Sequence, residues 1–244
     1  MKLDMLAFGA HPDDVEIGMG ATLAKYASLG YKVGICDLTK AELSSNGSID
    51  IRQKEAKKAA NILGLSKRIQ LSFADRGLKR VTSEQLSELV SVIREHRPTV
   101  VFSPYEIDRH PDHAACTELV KEAVFNSRIH KYQCARDLKA FRPDYLHYYF
   151  INGYDHPDFV IDISAFMEKK KQALLAYESQ FTKNDESVDT PLTNGYIPVV
   201  SARDRLFGKE AGVEYAEGFM TSKPLILTNL LAGGERHREI QNRD

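Results

Sequence analysis

Residues 3–30 read LDMLAFGAHPDDVEIGMGATLAKYASLG. The apolar run 3–10, closing around Gly9, has the length and composition of a buried strand. Residues 17–30 follow as a helix that Gly30 stops. Between strand and helix stands His11-Pro12-Asp13-Asp14, a turn carrying one imidazole and two carboxylates.

The same alternation continues outward from this unit. KVGICDL (32–38) is a second buried strand, and the polar loop TKAELSSNGSID leads into a helix over 51–64 that again ends on glycine. RIQLSF (68–73) is a third strand. A helix begins at Thr82, which forms a capping box with Gln85, and it places Leu86, Leu89, Val90 and Ile93 on one face. Pro98 closes it, and TVVFSP (99–104) is a fourth strand. Strands alternating with helices of about 10–15 residues indicate βαβ units on a parallel sheet. The expected fold is α/β: an open, mostly parallel sheet flanked by helices, a Rossmann-like three-layer sandwich. Past residue 140 the pattern changes to short strands at 145–151 and 159–163, a helix over roughly 164–178, a long polar loop and a helix around 197–209. These form a C-terminal extension of a single domain spanning 1–244, with no internal repeat or linker.

His-Pro-Asp recurs. DRHPDHAAC (108–116) follows the fourth strand, and DHPDFVIDI (155–163) contains a third copy. In open parallel sheets ligands bind beyond the carboxyl ends of the strands, so the first two copies belong to one rim. Residues three apart on a helical turn share a face, which pairs His11 with Asp14 and His110 with His113. Two histidines and a carboxylate with one open position form the ligand set of a catalytic zinc site. Zinc acidifies a bound water to a pKa of about 7 and polarises a carbonyl oxygen. Asp13 and His110 are left over, as general base and as general acid or oxyanion stabiliser, and Asp112 is placed to orient His110. The third copy runs directly into FVIDI, so His156 reads as a turn residue without a metal partner.

Composition narrows the classes. The chain has 244 residues, 43% hydrophobic and 27% charged, with net charge −1. Lys and Arg are scattered, which argues against nucleic acid, and no apolar run is long enough for a membrane span. Asp4 interrupts the first apolar stretch, so no signal peptide is expected. Cys36, Cys116 and Cys134 are odd in number and lack C-x-x-C spacing, as suits free thiols in a reducing cytoplasm. A nucleotide site is the competing reading, since Gly18-Met19-Gly20 follows the first strand and Asp37 closes the second. No third glycine completes that fingerprint, and the glycines then serve close packing of helix on sheet. A metal-dependent phosphoesterase is a further alternative, but no second carboxylate-rich motif is present to hold another metal.

AHPDD after the first strand and HPDH after a later one resemble the paired signatures of the PIG-L/LmbE-like zinc-dependent N-deacetylases, as do NGSIDIRQKEA (46–56) and AGVEYAEGF (211–219). The resemblance implies one Zn²⁺ per chain held by His11, Asp14 and His113, with Asp13 as base and His110 as electrophile held by Asp112. It implies an amidohydrolase that releases acetate from a small N-acetylglucosaminide. MKLDMLAFGAHPDDVEIG, DLTKAELSSNG and TPLTNGYI resemble the branch that deacetylates N-acetylglucosaminyl-L-malate in bacillithiol synthesis. Arg52 then contacts substrate, Arg109 is a candidate fork for a malate carboxylate, Tyr196 ends a loop over the site, and Arg142 is a weaker candidate. Many family members carry Gly-Glu-x-Gly where this chain has KAELSS (40–45), so Glu42 is kept and the glycines are not. A cytoplasmic homo-oligomer is expected on the resemblance.

Overall fold

The computed structural model describes residues 1–226. Its strands are β1 (Met5–Gly9), β2 (Val33–Thr39), β3 (Lys67–Phe73), β4 (Val100–Pro104), β5 (Tyr145–Tyr149), β6 (Phe159–Asp162) and β7 (Ala216–Thr221). The α-helices are α1 (Asp14–Ser28), α2 (Ile49–Leu63), α3 (Ser83–His96), α4 (Pro111–Ser127), α5 (Met167–Leu175), α6 (Glu178–Phe181) and α7 (Tyr196–Glu210). One sheet contains all seven strands in the order β3-β2-β1-β4-β5-β7-β6. Its pairs are parallel from β3 through β5, and β7 runs antiparallel to both β5 and β6.

Alternation along β1 builds the three layers. Met5 and Ala7 join a core cluster with residues of α1, α2 and α5, whereas Leu6 and Phe8 join another with α3 and α4. Both faces of β1 are therefore buried, as its uninterrupted apolar run required. Local signals held at the helix ends. The Thr82–Gln85 capping box is formed in both directions, and Gly64 ends α2 at φ 76°. Gly18 provides the close helix–sheet approach, since a Cβ there would stand 2.1 Å from the Tyr149 ring. Gly20 has no such constraint; its nearest neighbours would be 3.7 Å away.

Two elements lacked a readable signal. Helix α4 buries small and polar residues such as Ala115, Thr117 and Ala123, which make a faint apolar stripe. Strand β7 carries the buried Glu217 and a glycine, Gly218, against the Phe207 ring. The expected helix over 164–178 is broken into a short 3-10 turn, α5 and α6. The break falls at Tyr177, whose buried hydroxyl donates to Glu16 Oε1 at 2.8 Å.

The chain moves from β1 outward to β2 and β3, then returns to lay β4 on the other side of β1. The loops after β1 and β4 diverge at this reversal, which opens a crevice between them. Both His-Pro-Asp turns that open a helix stand on that crevice.

Candidate active site

Each of the two motifs is a strand-to-helix turn. Asp13 is the residue before α1, and Asp14 is its first helical residue. Asp14 Oδ2 accepts the His11 backbone N–H at 2.8 Å, which ties the turn to the helix start. In the second motif His110 caps α4, Pro111 takes the first helical position where no N–H is needed, and His113 lies one turn in. The Nδ1 of His11 is 3.4 Å from Asp14 Oδ2, and the Nε2 of His113 is 3.1 Å from Asp14 Oδ1. Ring nitrogens of His11, His110 and His113 gather within 4.8 Å of one another. The structure thus brings the sequence-expected set His11, Asp14 and His113 together, with His110 beside it.

Electrostatics favour a cation at this point. Burial disfavours charge on His11, yet Asp14, Asp112 and Asp75 raise its proton affinity well above the usual imidazole value. Burial likewise opposes charge on His113, and Asp14 and Asp108 overcome it, pushing the ring up to about 9. Asp14, despite burial, is held well below the carboxylate range by His113 and His11. Two buried imidazoles therefore take up protons to balance carboxylates, which is the charge a divalent cation brings. With two ring nitrogens aimed at one carboxylate, the residues fit such an ion.

Asp13 lines the same cavity as that set, and its carboxylate is paired with Arg52. The Asp13 backbone lies at φ 110°, a strained conformation for a residue with a side chain. Arg52 holds it: Nη1 donates to Asp13 Oδ2 at 2.6 Å and to the Pro12 carbonyl at 2.7 Å, and Nη2 donates to Ser44 Oγ at 3.1 Å. Burial raises the Asp13 carboxyl to about 6 against the pull of Arg52. Arg52 lines the cavity, but its guanidinium is already engaged with the carboxylate expected to act as base.

The expected partner of His110 is altered in kind. The Nδ1 of His110 accepts the backbone N–H of Asp112 at 3.3 Å, while the Asp112 carboxylate accepts the Arg76 N–H at 2.7 Å. Helix capping explains the difference, because a capping side chain takes the N–H two positions on. Burial, reinforced by His11 and His113, lowers the proton affinity of His110. A neutral ring whose Nδ1 accepts must carry its proton on Nε2.

A cavity of about 290 Å³ opens above these groups, at the small end of ligand-site volumes. Arg109 lines it and is exposed, whereas Arg142 is exposed elsewhere on the chain. Tyr196 does not line it. Its hydroxyl donates to Ile151 O at 3.1 Å and Asn152 Oδ1 at 2.8 Å, buttressing the wall from behind. Burial pushes that phenol up to about 12. Glu42 faces the loop after β3, accepting the Asp75 N–H at 2.7 Å, and Ala41 adopts φ 53°, a left-handed conformation that favours glycine. His156 is exposed in its turn and is not among the residues that line the cavity. Asp158 then fixes the start of β6 through the Thr221 N–H at 2.7 Å.

Sequence reasoning missed Asp75, Asp108 and Arg76. Asp75 Oδ1 lies 3.1 Å from His11 Nε2, and Asp108 Oδ1 lies 2.9 Å from His113 Nδ1. Asp108 was visible in DRHPDH, two residues before His110, where its Oδ1 accepts the His110 N–H at 2.8 Å. Asp75 carried no signal, because nothing in FADRG marks a residue that folds back onto β1's loop. The three cysteines are free and buried. Among the described residues no helix is long and apolar enough to cross a membrane.

Comparison with known proteins agrees with this geometry. The family model described as PIG-L, GlcNAc-PI de-N-acetylase, matches residues 6–124, which include both motifs. A diacetylchitobiose deacetylase of Thermococcus kodakarensis is 31% identical over 224 residues, covering 88% of this chain and 81% of that protein. A probable N-acetyl-α-D-glucosaminyl L-malate deacetylase of Bacillus anthracis is 26% identical, covering 80% of this chain and 89% of that one. The crystal structure of a conserved protein from Thermus thermophilus superposes with TM-score 0.84 at 38% identity, covering 93% of this chain and 98% of that one. A chain that shares most of its length with a deacetylase, and the family pattern across its first half, belongs to the PIG-L family and is an amidohydrolase acting on N-acetyl amides.

Proposed function

We propose that the chain removes the acetyl group from a small N-acetylglucosaminyl conjugate, N-acetylglucosaminyl-L-malate by preference, at the deacetylation step of bacillithiol synthesis. The observation that carries the reading is the convergence of His11, Asp14 and His113 beside Asp13 in one buried crevice. These three residues would hold Zn²⁺ or another divalent ion. Such an ion, when bound, supplies Lewis acidity toward the acetyl carbonyl and lowers the pKa of water to about 7.

The protein's own groups divide the remaining work. Asp13, kept in place by Arg52 at 2.6 Å, takes the proton from the attacking water and returns it to the amine as the C–N bond breaks. His110, with Nδ1 occupied by a backbone N–H, presents Nε2–H to the carbonyl oxygen as it gains negative charge. Acetate and a free glucosamine amine leave. The lining suits a sugar: Ser44, Asn152, Gln180 and Thr190 offer polar groups, and Leu43 and Leu192 offer apolar surface.

Preference for a malyl conjugate rests on charge. Arg109 and Arg76 both line the cavity and are exposed, and among the described residues the nearest carboxylate contact of either is Arg76 Nη1 to Asp112 Oδ1 at 3.8 Å. A carboxylate on the aglycone gives them a partner that a neutral disaccharide lacks. The test is acetate release from N-acetylglucosaminyl-L-malate, diacetylchitobiose and N-acetylglucosamine, before and after chelation. A charged hydrogen bond contributes about 1.5–3 kcal/mol, so the malyl conjugate is expected to lead by roughly 10- to 150-fold in kcat/KM. Equal values for the three would exclude carboxylate recognition, and full activity after chelation would exclude the metal.

A further inference from the structure

We propose that Asp75 is a positioning residue that selects the His11 tautomer required for metal binding; this rests on the metal site put forward above. The two nitrogens of His11 face opposite ways. Nδ1 faces Asp14 Oδ2 at 3.4 Å, on the side where His113 also reaches Asp14. Nε2 faces Asp75 Oδ1 at 3.1 Å and, farther off, Asp112 Oδ2 at 3.7 Å.

A carboxylate only accepts, so the short contact with Asp75 requires the proton of a neutral ring to be on Nε2. That leaves the Nδ1 lone pair directed at Asp14 Oδ2, acceptor against acceptor. Only a proton or a cation between them removes the repulsion. The opposite tautomer would satisfy Asp14 with an N–H and move the lone pair to Nε2, away from Asp14 and His113. Asp75 therefore tips the ring toward the ligating form.

Asp75 is built to do this more firmly than Asp112. Its second oxygen, Oδ2, accepts the Leu43 N–H at 3.1 Å, and its own N–H donates to Glu42 at 2.7 Å. The carboxylate is thus clamped between the loops after β2 and β3, with Oδ1 free for His11. The nearest oxygen of Asp112 is already bonded to the Arg76 N–H at 2.7 Å. Arg76, at φ 61°, turns the chain sharply just after Asp75 and brings the two carboxylates to the same nitrogen.

Because Asp75 also lines the cavity, activity alone does not separate positioning from substrate contact. The experiment measures Zn²⁺ affinity by competition with a chromophoric chelator, for wild type, Asp75→Asn, Asp75→Ala and Asp75→Glu. Loss of such an outer partner typically costs about 10- to 100-fold in metal affinity. Asp75→Asn is expected to lose the most, since its amide can donate to Nε2 and impose the wrong tautomer. Asp75→Glu is expected to recover part of the loss. Thermal unfolding of the metal-free proteins should be alike, with only the Zn²⁺-induced rise reduced. Asp75→Asn binding Zn²⁺ within twofold of wild type would overturn this assignment alone. A wild type that binds no Zn²⁺ would overturn the metal reading beneath it.

Discussion

At the scale of single residues, adjacent carboxylates have been given opposite tasks by their partners. Asp14 lies between two imidazoles, and Asp13 lies against one guanidinium. Asp13→Asn is therefore expected to retain one metal ion per chain while kcat falls by about 100-fold or more, the usual scale for a lost general base. His113→Ala should release the metal. Elemental analysis alongside steady-state rates checks both, and loss of metal from Asp13→Asn with retention in Asp14→Asn would reverse the assignment. The residues proposed as ligands were legible because each sits at a fixed spacing after a strand. Their supporting contacts were not. Asp75 acts across 64 residues of sequence, and the engagement of Arg52 with Asp13 and of Tyr196 with Asn152 depends on how distant loops close.

At the scale of elements, the fit of α1 to the sheet sets where Asp14 stands. Gly18→Ala drives a methyl into Tyr149 and is expected to cost about 1–3 kcal/mol, as overpacking does. Gly20→Ala, whose methyl would make ordinary van der Waals contacts at 3.7 Å, should be neutral or stabilise the helix by up to about 1 kcal/mol. Denaturant unfolding of the two variants reads the contrast; equal effects would show that α1 can shift freely. Beneath α1 a single cation, Arg68, bonds two fully buried carboxylates, Asp37 and Glu16. Burial pushes Asp37 up to about 7 despite Arg68. The folded state then binds a proton that the unfolded chain, with an aspartate pKa of about 4, has already released. Its contribution is complete below about pH 4 and is lost as pH rises through 7. Stability measured across that window should fall less steeply in Asp37→Asn than in wild type. The glycine spacing and Asp37 were visible in sequence, but Arg68 as the common partner of Asp37 and Glu16 required the β2–β3 register.

At the scale of the whole molecule, the parallel βαβ alternation through β4 was legible in the sequence, but the order of the strands was supplied by the structure. The return of β7 between β5 and β6 was not legible, since its register depends on side chains contributed from far along the chain. The chain between β5 and α7 also walls the cavity: Ile151, Asn152, Gln180 and Thr190 to Leu192 face groups drawn from residues 11–113. Replacing Thr190 and Leu192 by alanine is expected to alter KM differently for malyl and chitobiosyl substrates while kcat stays within a few-fold. A comparable fall of kcat on every substrate would mean that the wall also shapes the reacting groups. The groups proposed for bond cleavage thus all come from before residue 114, whereas the cavity wall is drawn from both stretches of the chain. A substitution after residue 150 therefore reshapes one wall while leaving every residue proposed for bond cleavage in place.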